Sequence, residues 1–220
     1  TRTGLLNQSI SYSYNNDFNL SSLSYAGSSY SLLYDNDGLL TKAGSFTITR
    51  NTQNGLPISV SDGTLTNSRT FSGYGELDAN AYAIGGINKY SWTLTRDLSG
   101  RITQKVENIA GESIALDYGY DSLGKLIEVK KNGTTTESYS YDVNGNRTAV
   151  IDLLGNRAES TYDLLSRLTS AKDARGNVTT HTYDTADRLI SVANPLGHIT
   201  RYTYDGNGNL TGELYRNWNG

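Results

Sequence analysis

Cysteine and methionine are both missing from the 220-residue sequence, and proline and histidine each occur only twice. Without cysteine the chain has no disulfides, no thiolate metal ligands and no cysteine nucleophile. The scarcity of proline and the small net charge of −3 argue against a disordered or collagen-like chain. Because Thr1 stands where an initiator methionine would be, we expect the sequence to be a piece of a longer polypeptide.

Strong charge of one sign and long apolar runs are also lacking. A net charge of −3 over 220 residues creates no field that would attract nucleic acid or an anionic lipid surface. No apolar run approaches the roughly 18 residues of a membrane span, and no signal-peptide pattern opens the chain. We therefore expect neither nucleic acid binding nor a membrane span in this segment.

Tyrosine and glycine, in contrast, are abundant, with 17 and 23 residues. Tyrosine is favoured in strands, and glycine is favoured in turns. The composition therefore predicts an all-β chain with many short strands.

Tyr-Asp pairs recur through the C-terminal half of the chain at a constant interval of 21 residues. They stand at Tyr120-Asp121, Tyr141-Asp142, Tyr162-Asp163, Tyr183-Asp184 and Tyr204-Asp205. A chance dipeptide would scatter, so the equal intervals indicate a structural repeat.

Each pair opens a seven-residue motif: Tyr-Asp, two variable residues, a turn residue that is usually Gly, a polar residue, and Leu. Asp in the first and Gly in the fourth of four positions is typical of a type I turn, and the Asp side chain can bond its own backbone two residues on. We call the four residues that begin at this Asp the signature turn. The predicted signature residues, to which we assign a structural role, are Tyr34, Asp35, Gly38, Tyr120, Asp121, Gly124, Leu126, Tyr141, Asp142, Gly145, Tyr162, Asp163, Leu168, Tyr183, Asp184, Leu189, Tyr204, Asp205, Gly208 and Leu210.

A second turn, which we call the intermediate turn, lies halfway through each repeat. It occurs at 152–155, 173–176 and 194–197, and Asn132-Gly133 takes its place one repeat earlier as a strong hairpin signal. Turns then alternate at 10 and 11 residues, which leaves strands of about six or seven residues. Each repeat is predicted to be two antiparallel strands.

The N-terminal half contains the same motif in a degenerate form. Arg50-Asn51 and Arg96-Asp97, for example, stand where the regular repeats have Tyr-Asp. We interpret residues 1–220 as a single array, with degenerate repeats in 1–115 and regular repeats in 116–211. An insertion near 78–89 is expected to form a loop.

Tyrosines two residues apart, such as Tyr139 and Tyr141, share one face of a strand. One hairpin is only marginally stable, so stability must come from stacking the repeats. About twenty strands would form a ribbon on the order of 95 Å long. Strand twist accumulates in such a ribbon, so we expect a long coiled sheet that forms part of a hollow wall.

The Tyr-Asp-x-x-Gly-x-Leu units resemble the YD repeats of bacterial RHS proteins, of toxin-complex shell components and of teneurins. The resemblance is close over 116–211 and looser from Tyr12 onward. It departs at Arg147, which replaces Leu, and at Ser166 and Asp187, which replace the turn Gly.

That resemblance implies a hollow β-shell that encloses or presents a C-terminal polypeptide, commonly a toxin. It also implies a secreted or cell-surface location in bacteria, and partners that are the rest of the same polypeptide. The self-cleaving aspartates of the family's C-terminal core are absent from this sequence, so no catalytic residue is carried over.

Candidate chemical sites are few. The stretches that begin at Asp142 and Asp205 imitate an EF-hand loop, but the required Gly and Glu positions are not met, so turn chemistry explains them better. His181 and His198 occur singly, without a partner at metal-ligand spacing. We predict no catalytic residue, no metal site and no cofactor, and hence a protein that is not an enzyme.

A carbohydrate-binding or adhesion module is the alternative. Flat aromatic faces suit sugar rings, and repeats multiply weak sites. In this interpretation Trp92 and Trp218 contact surface glycans.

Overall fold

A computed structural model describes residues 9–216, in which all regular secondary structure is β and no helix occurs. Twenty strands are found, as the repeat spacing predicted. They are β1 Ile10–Tyr14, β2 Leu20–Tyr25, β3 Ser28–Tyr34, β4 Leu40–Ala43, β5 Phe46–Arg50, β6 Pro57–Ser61, β7 Leu65–Phe71, β8 Leu77–Ile84, β9 Ile87–Arg96, β10 Ile102–Ile109, β11 Glu112–Tyr120, β12 Leu126–Lys131, β13 Thr134–Tyr141, β14 Arg147–Asp152, β15 Arg157–Tyr162, β16 Leu168–Lys172, β17 Val178–Tyr183, β18 Leu189–Ala193, β19 Ile199–Tyr204 and β20 Leu210–Arg216.

The chain divides into two compact units, 1–115 and 116–220, and the division falls within β11. In the first unit, β1 to β10 form a meander in which each strand pairs antiparallel with the next. In the second unit, β11 to β20 pair in the same way. The prediction of two antiparallel strands per repeat is therefore confirmed for the regular repeats.

The signature turns are type I turns followed by a left-handed residue. At Asp121, the amide of Gly124 donates to the Asp121 carbonyl over 3.0 Å, and the Asp121 amide donates to the Lys125 carbonyl over 2.9 Å. Gly124 has a φ of 82°. This is the three-residue hairpin loop in which glycine is favoured at the left-handed position.

Ser166 and Asp187 take this same left-handed position without being glycine. Their φ angles are 62° and 63°, and each amide closes its turn onto the preceding aspartate. A left-handed conformation costs a residue with a side chain roughly 1–2 kcal/mol. The departures from the motif therefore add local strain but leave the turn unchanged.

The predicted intermediate turns are also confirmed. At Asp152, the Gly155 amide donates to the Asp152 carbonyl over 3.0 Å, and the turns at 173–176 and 194–197 close in the same way. Asn132-Gly133 is a two-residue hairpin, closed by the pair Lys131 and Thr134, with φ angles of 51° and 81°.

The expectation of a loop near 78–89 was wrong. These residues lie in β8 and β9, which are joined at Gly85-Gly86. Both glycines have positive φ, 56° and 78°, as a tight two-residue hairpin requires. Ala and Asn have low strand propensity, which concealed the strand in Asp78–Ala83, but pairing with β7 and β9 on either side overrides propensity.

Each unit is a single layer of sheet. Contacts between described strands within a unit join only strands that follow one another in the chain. Among residues 9–216, only Ala149 and Asn67 are buried, with 3% and 7% of their surface exposed. Ordinary domains bury a core between two or three layers of secondary structure, and neither unit has a second layer of its own.

Candidate functional site

The side chains that give the repeat its pattern meet in a line of contacts between successive repeats, which we call the ladder. The first group of contacts in the ladder is made by the aspartate that opens each signature turn. In the fourth regular repeat, Oδ1 of Asp184 accepts hydrogen bonds from the amides of Ala186, over 2.9 Å, and Arg188, over 3.0 Å. The same two acceptor bonds, to the amides two and four residues on, are made by Asp35, Asp97, Asp121, Asp142, Asp163 and Asp205.

In Asp142, Asp163 and Asp205, hydrogen bonds favour the ionised form of the carboxyl group. The pKa of Asp163 is lowered from its usual value, first by the side-chain hydrogen bond from Arg167 and then by backbone amides. The pKa of Asp142 is lowered first by the side-chain hydrogen bond from Asn146, and that of Asp205 by the equivalent bond from Asn209. These carboxylates thus act as acceptors within the turns.

The signature tyrosines tie one repeat to the one before it. The hydroxyl of Tyr204 donates to the carbonyl oxygen of Leu189 over 2.8 Å, and Tyr183 donates to Leu168 over 3.0 Å. The same bond joins Tyr141 to Leu126, over 2.8 Å. The signature Tyr therefore has a specific acceptor, the backbone of the signature Leu about 15 residues earlier.

Basic residues at the sixth motif position extend the ladder in the other direction. Arg188 donates from Nη1 to the carbonyl of Asp205 over 3.1 Å, and its guanidinium lies 5.0 Å from the ring centroid of Tyr204. Arg167 likewise lies 4.8 Å from the ring of Tyr183 and donates to Oδ1 of Asp187 over 2.7 Å. Such contacts combine a cation–π attraction with a charge-assisted hydrogen bond.

Arg147, which replaces the signature Leu, leaves this ladder intact. Its backbone carbonyl still accepts the hydroxyl of Tyr162, over 3.1 Å. Its guanidinium lies 5.7 Å from the ring of Tyr139. Burial, and then the hydrogen bond to Glu137, raises the pKa of Tyr139 to about 12.

In two degenerate repeats, an arginine at the signature Tyr position donates a hydrogen bond to the backbone of the preceding repeat. Arg50 donates from Nη2 to the carbonyl of Leu40 over 3.2 Å, and Arg96 donates from Nη2 to the carbonyl of Leu77 over 3.4 Å. Each also donates to the carbonyl of its own turn glycine, Gly55 or Gly100. The motif placed both arginines at the Tyr position, but it did not indicate that they bind the backbone carbonyl that accepts the Tyr hydroxyl elsewhere. The planar guanidinium can do so because it carries several donors.

The candidate residues for other chemistry do not come together. Within residues 9–216, no three His, Asp or Glu side chains group closely enough to hold a metal ion. His181 lies in β17, where its Nδ1 is buried and has no partner among the described residues. His198 follows an intermediate turn, and its Nδ1 lies 2.8 Å from the hydroxyl of Tyr215. None of the described residues forms a helix that could cross a bilayer.

Of the two candidate glycan contacts, only one can be placed. Trp92 is half-buried in β9, between Asn80 of β8 and Glu107 of β10. Trp218 lies outside the described residues. No observation favours a sugar site, and the carbohydrate-binding alternative stays a prediction.

Comparison with known families gives two matches. The family model described as Teneurin YD-shell matches residues 1–175, and the model described as RHS Repeat matches 162–199 and 183–217. The first match covers well over half of the chain.

Individual proteins agree with this result. Human Teneurin-4 is 28% identical over 154 residues, which are 66% of this chain and 6% of Teneurin-4, and mouse Teneurin-4 is similar to the same extent. The chain thus spans only a small fraction of the length of these curated relatives. Two crystal structures, TcdB2-TccC3-Cdc42 and TcdB2-TccC3-TEV, cover 95% and 96% of this chain, with TM-scores of 0.64 and 0.60. At 16% and 15% identity, and with 14% of each of those chains covered, they match this chain in fold.

Proposed function

Because the chain belongs to the teneurin YD-shell family, we propose that it is one stretch of the wall of a hollow β-shell built by a longer polypeptide. The wall encloses or presents a C-terminal, toxin-type segment of that polypeptide. The polypeptide is secreted or displayed at a bacterial cell surface, and the wall itself performs no catalysis.

The missing core is the observation that carries this proposal. A sheet of ten strands normally buries one face against a second layer. Here Ala149 is the single buried apolar residue between residues 9 and 216. Neither face of either unit is covered by a second layer of the same unit. The wall of a container requires this arrangement, because one face meets solvent and the other meets the contents.

The ladder supports a structural role in a second way. The groups that could bind a ligand are already committed to one another: Asp163 and Asp187 bind Arg167, and Tyr183 binds the backbone of Leu168. Such a surface is built to hold repeats in register.

Electron cryomicroscopy of the natural full-length polypeptide tests the proposal. We expect residues 9–216 to form a single-layer wall whose inner face lines a cavity, with density for further polypeptide inside. An interior filled by packed side chains, or a sheet with bulk solvent on both faces, would refute the shell function.

A protease test provides an independent measure. A cleavable sequence inserted into the C-terminal segment of the full-length polypeptide should resist its protease in the native state and be cut after denaturation. Equal cleavage in the two states would show that the segment is not enclosed.

A further inference from the structure

Large apolar side chains stand at the tips of three successive signature turns in the second unit. Leu123, Val143 and Leu164 are 76%, 98% and 96% exposed, and each takes the second or third position of its turn. In the first unit, Tyr74 and Leu98 are likewise almost fully exposed at turn tips. Gly, Pro, Asn, Asp and Ser are the residues that turns favour, so a row of apolar tips needs another explanation.

The turns themselves do not require these apolar side chains. The next signature turn has Thr185 and Ala186 at the same two positions, and the last has Gly206 and Asn207. Both turns nevertheless close with the same hydrogen bond, from the amide of the fourth residue to the carbonyl of the first. Packing within the unit does not explain the apolar tips either, because at least three quarters of each side chain is exposed. The tips are therefore available for a contact outside their unit.

Apolar tips occur at both ends of the strands in this unit. Successive strands run antiparallel, so the signature turns lie at one rim of the sheet and the intermediate turns at the opposite rim. We call them the signature rim and the intermediate rim. On the intermediate rim, Leu154 and Leu196 are 83% and 77% exposed. Their turns are four strands apart, as are those of Leu123 and Leu164, which is about 19 Å at a strand spacing of about 4.8 Å. The two rims thus present leucines at the same interval.

We propose that the signature rim packs, through Leu123, Val143 and Leu164, against the intermediate rim of another YD-repeat sheet in the same longer polypeptide. A ribbon wound into a wall brings opposite rims together in successive windings, so this choice of partner rests on the proposed shell function. Apolar tips from the two sheets cover one another and are withdrawn from water. The contact closes the gap between two windings of the wall.

Two other occupants fit the signature rim less well. An anionic lipid surface would meet Asp121 and Asp142, which open the turns beside the apolar tips, and such a surface repels carboxylates. An enclosed polypeptide would meet the face of the sheet, whereas the tips lie beyond the ends of the strands. The matching intervals on the two rims, in contrast, suit a second sheet of the same kind.

Photo-crosslinking in the natural full-length polypeptide identifies what covers the signature rim. A benzophenone amino acid replaces Leu164, and the crosslinked peptides are mapped by mass spectrometry. We expect a crosslink within one molecule, to an intermediate turn of a distant YD repeat. The same probe at Thr180, an exposed residue in the middle of β17, is the control and should not reach a turn of another winding.

The Leu164→Ser variant of the full-length polypeptide supplies a second measurement. Serine suits a turn, and Leu164 is almost fully exposed in this chain, so without a partner sheet the change would leave stability unaltered. With the partner sheet, we expect a protease to digest the native polypeptide about tenfold faster, because burial of one leucine contributes at least that factor. Thr185→Ser, at the same position of the next turn, should leave the rate unchanged.

The proposal is overturned if the probe at position 164 reaches the enclosed segment, a second molecule or no peptide, or if Leu164→Ser leaves the digestion rate unchanged. Failure of the shell function gives a different result, because it removes the cavity and the protection of the C-terminal segment. A polypeptide that keeps both, but gives no crosslink to an intermediate turn, refutes the packing of the rims alone.

Discussion

Replacing Tyr204 by phenylalanine removes one hydroxyl from the ladder and keeps the ring. The lost group is the donor to the Leu189 carbonyl, which lies 2.8 Å away. A neutral hydrogen bond of this kind contributes about 1 kcal/mol to stability, with a range of about 0.5–1.5 kcal/mol. The ring remains under the guanidinium of Arg188, so the substitution isolates the bond between repeats.

Tyr202 offers a matched control in the same strand. It lies two residues from Tyr204 and is equally half-buried, but its hydroxyl forms no hydrogen bond with the described residues. Tyr202→Phe should therefore leave the free energy of unfolding nearly unchanged. The difference between the two variants measures the hydroxyl bond of Tyr204 alone.

Urea unfolding followed by circular dichroism is the assay. With an m-value of about 3 kcal/mol/M, a loss of about 1 kcal/mol lowers the midpoint of Tyr204→Phe by about 0.3 M. Combining Tyr141→Phe, Tyr183→Phe and Tyr204→Phe should lower it by about 1 M, because sites two strands or more apart, about 10 Å, are close to additive. Equal midpoints for the Tyr202 and Tyr204 variants would refute the argument that this bond joins the repeats.

Three further tests address the turns and the charges. Arg167→Met should lower the urea midpoint more than Tyr204→Phe does, because Arg167 contacts two aspartates and a tyrosine ring. Arg175→Met should have little effect, because Arg175 is exposed and its side chain forms no hydrogen bond with residues 9–216. A Cβ at either Gly208 or Gly206, in the same turn, meets open space, so the two variants differ in backbone conformation alone. Gly208→Ala should lower the free energy of unfolding by about 1–2 kcal/mol, because Gly208 has a φ of 87°. Gly206→Ala should leave it almost unchanged. The pKa values of Asp142, Asp163 and Asp205 are lowered, so the stabilisation by these three carboxylates is complete above the unfolded pKa of about 3.9 and is lost as the pH falls through the folded values. An acid titration by circular dichroism should thus show loss of structure only below about pH 4, and a transition centred near pH 6 would contradict this assignment.

The turns could be predicted from sequence because their determinants are local. The bonds that shape the turn at Asp121 all lie between residues 121 and 125. Two turns per repeat then set the length and the antiparallel pairing of the strands. The strand number followed from this spacing, and the all-β class followed from the spacing together with the composition.

The contacts between repeats could not be predicted in the same way. The Tyr204 hydroxyl reaches a carbonyl 15 residues earlier, and no residue type at position 189 is needed to supply that acceptor. For the same reason the sequence placed Arg50 and Arg96 at the Tyr position but did not indicate that they bind the same backbone acceptor. The strand in Asp78–Ala83 was missed because its neighbours, and not its own propensity, determine its conformation.

Each strand contacts only the strands before and after it within its unit. The number of strands can therefore change without disturbing the contacts between the other strands. Duplication of one 21-residue repeat would add two strands, about 10 Å of sheet, and would bring its own tyrosine, aspartate and leucine to continue the ladder. No core side chains would have to be matched again on a facing layer. A container made of such repeats can evolve a new capacity by unequal recombination, in steps of one hairpin, while every existing contact is kept.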